Sequence, residues 1–386
     1  MTRADLKLDR HEAAGAVADV GVLVPLAVAL IVGNGLSATA VLLPAGLLYL
    51  AVAVVYRLPI PVQPLKAFAA IAIAKHLGSD EIAAGALLFG VIFVVLGRTG
   101  LLDLAARAFP KPLIRGVQLT VGLLLLKVAW GLATDPPAPF EPHALAPGWA
   151  VPAAAGALLL LLAVRRLPVS LVLVVAGAGV AVAVGHSGAS LGPSSLSLPA
   201  LSADTLWTAL TVLVVPQLAL TFANSCLATA DAARTYFGER AARITPGRLA
   251  TSLGTASLLA GTISGMPVCH GAGGLTAHYR FGARRAAAPA LMGAVLVVLA
   301  VAVGGGLAVV LAAFPLPILA GLLATAGLLH IGLLRDLRAA HEWALALLVG
   351  AVGFQANLTL ALGAGLAGWW LWRGARHLRH ALQPAG

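Results

Sequence analysis

Apolar runs long enough to cross a bilayer recur along this whole chain, and they restrict its fold more than any other feature. A helix needs about 20 apolar residues to span the hydrocarbon core of a membrane. Of the 386 residues, 60% are hydrophobic and only 10% charged, with a mean hydropathy of +0.97. No room is left for a sizeable soluble domain. The continuous runs differ from the short alternating segments of a transmembrane barrel, so the expected fold class is an all-α integral membrane protein. Residues 1–12 are polar and mixed in charge, unlike the basic-then-apolar pattern of a cleaved signal peptide.

Dividing the chain at polar loops and at Pro or Gly clusters predicts about fourteen spans. They lie near 15–33, 37–56, 63–77, 82–97, 112–133, 149–165, 168–186, 205–229, 248–263, 268–280, 286–312, 315–334, 341–355 and 357–373. With the N-terminus in the cytoplasm, Arg98, Lys111, Arg115, Arg165, Arg166, Arg240, Arg248, Arg284, Arg335 and Arg338 all fall in inner loops. The opposite loops, 135–147 and 187–204, contain no Lys or Arg. This asymmetry predicts an even number of spans with both termini in the cytoplasm. It also accounts for the formal charge of +11 without a nucleic-acid partner.

The chain carries an internal repeat. FPKPLIRGVQLTVGLL from Phe109 and FPLPILAGLLATAGLL from Phe314 share their Phe, both Pro, both Gly and the closing Leu pair, 205 residues apart. Pro61-Val62 and Pro267-Val268 match at nearly the same offset, 206. Seven spans per copy is an odd number, so the second copy, 205–374, is expected to be inverted in the membrane relative to the first, 1–190. Lys111 and Arg115 of the first motif are replaced by Leu316 and Ala320 in the second, as inversion of the charge rule requires.

Two spans, the third and the tenth, are broken at their starts. The first break reads PIPVQPLKAFAAIAIA from Pro59 and the second MPVCHGAGGLTAHYRFGAR from Met266. Pro64 at the head of a helix forfeits no useful hydrogen bond, because first-turn amides have no intrahelical acceptor. A half-helix is therefore expected from Pro64 through Ala74. In the second copy Gly271, Gly273 and Gly274 let the backbone turn and be approached closely. If the two half-helices point their N-termini at one another, free amides and positive dipole ends form an anion cradle. Lys66 would add a cation and Gln63 an amide donor, both needed by an oxyanion that sheds water at low dielectric.

His270 at the second break either donates to an anion, changes charge with pH, or caps free backbone groups. Cys269 reads as a small packing residue within the same break, since nothing nearby completes a metal set. His278, Tyr279 and Arg280 are expected at the cytoplasmic exit. The eighth span, VVPQLALTFANSCLATAD from Val214, sets Gln217, Thr221, Asn224 and Ser225 among apolar residues at three- and four-residue spacing. Such a stripe faces the site or bonds to a neighbouring helix. Asp19 is the one early carboxylate placed to be intramembrane. No phosphate-binding loop and no nucleophile–base pair is visible, so neither ATP hydrolysis nor an enzyme is expected.

These residues resemble the molybdate transporter family, related to the sulfate permease superfamily. The carrying segments are PVQPLKAFAAIA from Pro61, MPVCHGAGGLTAHYRFGAR from Met266, PQLALTFANS from Pro216 and ADVGVLVPLAVAL from Ala18. The resemblance implies a seven-plus-seven inverted repeat, with a core domain of spans 1–4 and 8–11 and a gate domain of spans 5–7 and 12–14. It places substrate contacts at Gln63, Lys66, Asn224, Ser225 and His270. It implies a secondary transporter of molybdate working by alternating access, in the uptake direction, in the plasma (inner) membrane. Sulfate or another tetrahedral oxyanion, and a passive anion channel, are the alternatives. The implied partners are the oxyanion, the bilayer, a coupling proton or sodium ion and a second copy in a homodimer; no cofactor is implied.

Overall fold

The computed structural model describes residues 6–18, 20–102, 104, 109–164, 169–185 and 190–381, with side chains as far as 374. It is almost wholly helical. Helices α1 (Arg10–Ala16), α2 (Val20–Val28) and α3 (Ala38–Val55) precede a two-residue strand, β1 (Gln63–Pro64), which leads into α4 (Lys66–Ala74). Then come α5 (Ser79–Thr99), α6 (Lys111–Thr134), α7 (Pro147–Ala163) and α8 (Val169–Gly185). The second half opens with α9, a helical run over Ala203–Ala241, and α10 (Pro246–Thr262). Strand β2 (Val268–Cys269) leads into α11 (Ala272–Arg280), followed by α12 (Ala287–Ala302), α13 (Gly304–Ala312), α14 (Leu316–Gly332), α15 (Ala340–Val352) and α16 (Leu358–Ala381). Among the described residues, seven helical runs are long and apolar enough to cross a membrane, or eight if α12 and α13 form one bent span.

Helices from the first and second halves of the chain pack in pairs: α5 lies along α10, and α3 lies along α12. Glycine makes both crossings close. A methyl on Gly254 of α10 would sit 2.9 Å from Gly90 O of α5, and one on Gly293 of α12 would sit 2.8 Å from Gly46 O of α3. Gly122 of α6 and Gly327 of α14 stand in the same relation at 2.7 Å. Small residues that let backbones touch are how helices associate where lipid supplies no hydrophobic drive. The two FPxP helices also run antiparallel, since Lys111 at the start of α6 pairs with Asp336 beyond the end of α14 at 3.2 Å.

The ends of the bundle are chemically distinct. Residues 190–202 cover one end, where Ser194 Oγ lies 2.7 Å from Ser37 Oγ, Ala200 N donates to Asp80 Oδ1 (3.1 Å) and Ser264 Oγ donates to Ser197 O (2.9 Å). At the other end α1 docks on the turn after α11, with Glu12 Oε1 accepting from Arg284 N at 2.8 Å and Asp9 Oδ2 3.3 Å from Arg285 Nη1. Residues 190–202, free of Lys and Arg, thus cover one end, and arginine-bearing loops gather at the other.

Two expected boundaries differ. The single span over 286–312 is two helices bent by 94°, with Val303 at the joint and three glycines, Gly304 to Gly306, immediately after it. The eighth span, expected to end near 229, continues through Ala241. The stretches 341–355 and 357–373 fold back on one another through the π segment Gly353–Asn357: Asn357 Oδ1 caps Thr359 N and Leu360 N at the start of the second helix, and the His341 ring of the first lies 6.1 Å from Trp369 and 4.9 Å from Trp372 of the second.

Candidate functional site

The two breaks meet. Strands β1 and β2 pair antiparallel, with Gln63 opposite Cys269 and Pro64 opposite Val268, and Leu65 N donates to Pro267 O at 3.3 Å. Each strand turns directly into a nine-residue helix, and the helices start and end 206 residues apart, Lys66 against Ala272 and Ala74 against Arg280. Because the strands are antiparallel, α4 and α11 leave the junction in opposite directions with their N-termini beside it. First-turn amides have no intrahelical acceptor, so two positive helix ends are presented in one place.

The side chains around this junction are buried and specific. Gln63 and Gly271 touch: a methyl on Gly271 would lie 2.5 Å from Gln63 Oε1 and 3.7 Å from Asn224 Nδ2, so the two amide side chains converge on that backbone. Gln217 reaches across from α9, its Oε1 accepting from Phe68 N (2.9 Å) and its Nε2 donating to Thr221 Oγ1 (2.9 Å). Gln217, Thr221 and Ser225 are buried, whereas Asn224 is half-buried. Gly273 is exposed, with nothing within 4 Å of where its side chain would be, and Gly274 is buried behind it. Lys66 is half-buried, and His330 of α14 lies within its electrostatic reach.

Several expectations change in detail. Lys66, expected one turn into its helix, is the first residue of α4, because Pro64 is held in β1 rather than in the helix. Residues Thr221–Ala228 are π-helical, so the polar stripe does not follow α spacing past Thr221; π segments recur at functional sites. His270 does not aim its ring at the gap. Nδ1 is 2.9 Å from Pro61 O and Nε2 is 2.9 Å from Ser252 Oγ, so the ring ties the first break to α10. Cys269 packs with Sγ 3.8 Å from Pro64 O. His278 is fully buried rather than interfacial. Asp19 lies outside the described residues.

Three residues near the junction carry no motif of their own. Thr229 Oγ1 lies 2.9 Å from Asn224 O and 3.2 Å from His270 O, joining the π segment to the second break. Ser252 Oγ lies 3.0 Å from Tyr56 Oη. Each is a single polar group on an otherwise apolar face, indistinguishable in sequence from a helix-packing residue.

This architecture matches solved anion transporters. It superposes on the transmembrane domain of a cyanobacterium bicarbonate transporter, BicA, with a TM-score of 0.60 at 18% identity, covering 92% of this chain and 96% of that one. It superposes on the murine Solute Carrier 26 family member A9 anion transporter in its inward-facing state with a TM-score of 0.69 at 15% identity, covering 96% and 69%. Fold and apolar helices together define a multi-pass membrane protein with the fold of those transporters. The particular family follows from sequence: the family described as "Molybdate transporter of MFS superfamily" matches residues 11–125 and 209–329. The chain belongs to that family. It is 26% identical to Molybdate transporter 1 of Arabidopsis thaliana over 392 residues, covering 91% of this chain and 85% of the relative.

Proposed function

We propose that this protein is a secondary transporter of molybdate and that the junction of the two breaks is its binding site. The carrying observation is the antiparallel pairing of Gln63 with Cys269, which brings the N-termini of α4 and α11 together. Each helix N-terminus presents about half an elementary positive charge, so two of them with Lys66 supply about two charges, the complement of a divalent oxyanion. The amides of Gln63 and Asn224, the hydroxyl of Ser225 and the backbone of Gly271, Gly273 and Gly274 provide neutral donors around it. Cys269 and His270 contribute through the backbone that shapes the turn.

In this reading α4 and α11 are the half-helices of spans 3 and 10 in a fourteen-span, seven-plus-seven inverted repeat. Copies 1–190 and 205–374 run in opposite directions through the plasma membrane, with both termini in the cytoplasm. Spans 1–4 and 8–11 form a core carrying the site, and spans 5–7 and 12–14 form a gate. Movement of the core against the gate opens the site to one side at a time, in the direction of uptake. The pairwise packing of α3, α5, α10 and α12, set apart from the packing of α6 against α14, supports this division.

The test is radiotracer uptake into proteoliposomes, comparing molybdate with sulfate under imposed proton and sodium gradients. Saturable molybdate uptake that excess sulfate fails to suppress is the expected result. Preferential sulfate uptake would reassign the substrate, and non-saturating flux would replace the carrier with a channel.

A further inference from the structure

A cavity of about 390 Å³ opens on the arginine-bearing side, where α3 and α5 end and α10 begins, with Tyr56, Arg98, Arg248 and Ser252 in its wall. Two of these residues begin a hydrogen-bonded chain that runs from the cavity to the junction of the breaks. Tyr56 Oη is 3.0 Å from Ser252 Oγ, Ser252 Oγ is 2.9 Å from His270 Nε2, and His270 Nδ1 is 2.9 Å from Pro61 O. A carbonyl only accepts, so Nδ1 carries a hydrogen and donates it to Pro61 O. In the neutral ring Nε2 is then bare and accepts from Ser252.

Ser252 has another acceptor within reach, Leu249 O at 3.0 Å. When Nε2 gains a proton, the hydroxyl hydrogen turns to Leu249 O, and Oγ accepts from Nε2–H while still accepting from Tyr56. Both protonation states of the buried ring are therefore fully hydrogen-bonded. A histidine serving only as a brace needs one such arrangement, and burying an orphaned donor would ordinarily disfavour the second.

We infer that His270 is the coupling-proton site of this transporter, exchanging with the cytoplasmic cavity through Ser252 and Tyr56, and that its protonation is linked to anion binding at the adjoining helix starts. The transfer balances: a hydronium ion in the cavity gives a proton to Tyr56 Oη and leaves as water, while Tyr56 passes its hydrogen to Ser252 Oγ and Ser252 passes its own to Nε2. Rotation of the two hydroxyls then resets the chain. His270 directly precedes Gly271, the N-cap of α11, so its charge adds to the amides facing the anion.

Among the described residues, the elements packed around the ring carry Tyr56 and Arg57 after α3, Arg98 of α5, Cys226 of α9, Arg248 of α10, His278 of α11 and Lys66 of α4, together with the carboxylates Asp80 and Glu81 of α5 and Asp204, Asp231 and Glu239 of α9. Asp80 and Glu81 open α5 at the opposite end of the bundle, where Asp80 accepts from Ala200 N, and Asp204, Asp231 and Glu239 are exposed, so no described carboxylate shares the ring's buried surroundings. The negative charge that holds the proton is the substrate's own, which makes proton and anion bind together. By linkage, whatever factor the proton adds to anion affinity, the anion adds to proton affinity.

This assignment presupposes the oxyanion-transporter function proposed above, and the experiment separates the two. Purified protein labelled with 15N-histidine is titrated from pH 6 to 8, with and without saturating molybdate, and binding of radiolabelled molybdate is measured over the same range. The His270 resonance, identified by its loss in His270→Gln, is expected to titrate at a higher pH when molybdate is bound. Wild-type affinity is expected to rise about ten-fold or more on acidification across this range. His270→Gln should flatten that response, Ser252→Ala should displace it to lower pH, and Ser252→Thr should restore it. Equal pH responses in wild type and His270→Gln, or a His270 resonance indifferent to molybdate, would overturn the proton assignment alone. Absence of binding by any tetrahedral oxyanion at every pH would overturn the transporter reading, and the proton assignment with it.

Discussion

Gln63 Oε1 lies 2.5 Å from the point where a side chain on Gly271 would begin, so the amide of one break rests on the bare backbone of the other. Gly271→Ala is expected to displace the Gln63 amide from the junction. Gly273 has nothing within 4 Å of its own Cβ position, and Gly273→Ala adds a methyl to open space. Ala is also the better helix former by roughly 0.5–1 kcal/mol. Thermal unfolding of the purified protein should therefore separate the pair, with a lower midpoint for Gly271→Ala and an unchanged or higher one for Gly273→Ala. Equal losses would show that the contact between Gln63 and Gly271 is not what holds the breaks together.

Lys66 supplies about half of the positive charge at the junction, because each helix start contributes only about half a charge. Removing one partner of a buried pair leaves the other uncompensated, at about 3–5 kcal/mol, which corresponds to a loss of roughly a hundred-fold or more in affinity. Lys66→Met should abolish saturable molybdate uptake at micromolar substrate while the protein still inserts and purifies as a single species. Lys66→Arg keeps the charge on a wider, planar head and should retain part of the uptake. Wild-type uptake by Lys66→Met would remove this residue from the site.

Gln217 satisfies two buried groups at once, accepting from Phe68 N and donating to Thr221 Oγ1. Gln217→Leu leaves Phe68 N without its acceptor, and an unsatisfied buried donor costs about 1–3 kcal/mol. Gln217→Glu keeps an acceptor for Phe68 N but brings negative charge close to the helix start that faces the anion. The first substitution should lower the unfolding midpoint more than it lowers affinity, and the second should do the reverse. Midpoint and molybdate affinity measured on both variants test that crossing.

The breaks were readable because proline and glycine act locally: Pro61, Pro64 and Gly271 punctuate the chain wherever they fall, and a constant offset of about 206 residues linked the two copies. Sorting of charge between loops was readable as well, and Arg98, Arg248 and Arg285 do gather at one end of the bundle. The π geometry over Thr221–Ala228 was not, since the same residues satisfy an α period on paper and only packing selects the wider turn. Ser252 escaped notice for another reason. Its partners, Tyr56 and His270, stand 196 and 18 residues away, and nothing local marks one serine on an apolar helix as part of a chain. The bend at Val303 did have a local signal, the three glycines that follow it, masked by the apolar residues on either side.

Gly254 meets Gly90 where α10 crosses α5, and the atoms in the way are backbone. A methyl on Gly254 would lie 2.8 Å from Val94 N and 2.9 Å from Gly90 O, neither of which can rotate aside as a side-chain tip does. Gly254→Val must separate the helices, and overpacking of a close contact costs about 1–3 kcal/mol. Gly179 of α8 offers the control, with nothing within 4 Å of its Cβ position. Gly254→Val should lower the yield of monodisperse protein and its unfolding midpoint, whereas Gly179→Ala should leave both unchanged. Because α5 and α10 also form the wall beside Tyr56 and Ser252, the first variant should in addition weaken the pH response of molybdate binding. A wild-type midpoint in Gly254→Val would mean that the two helices do not approach at these glycines.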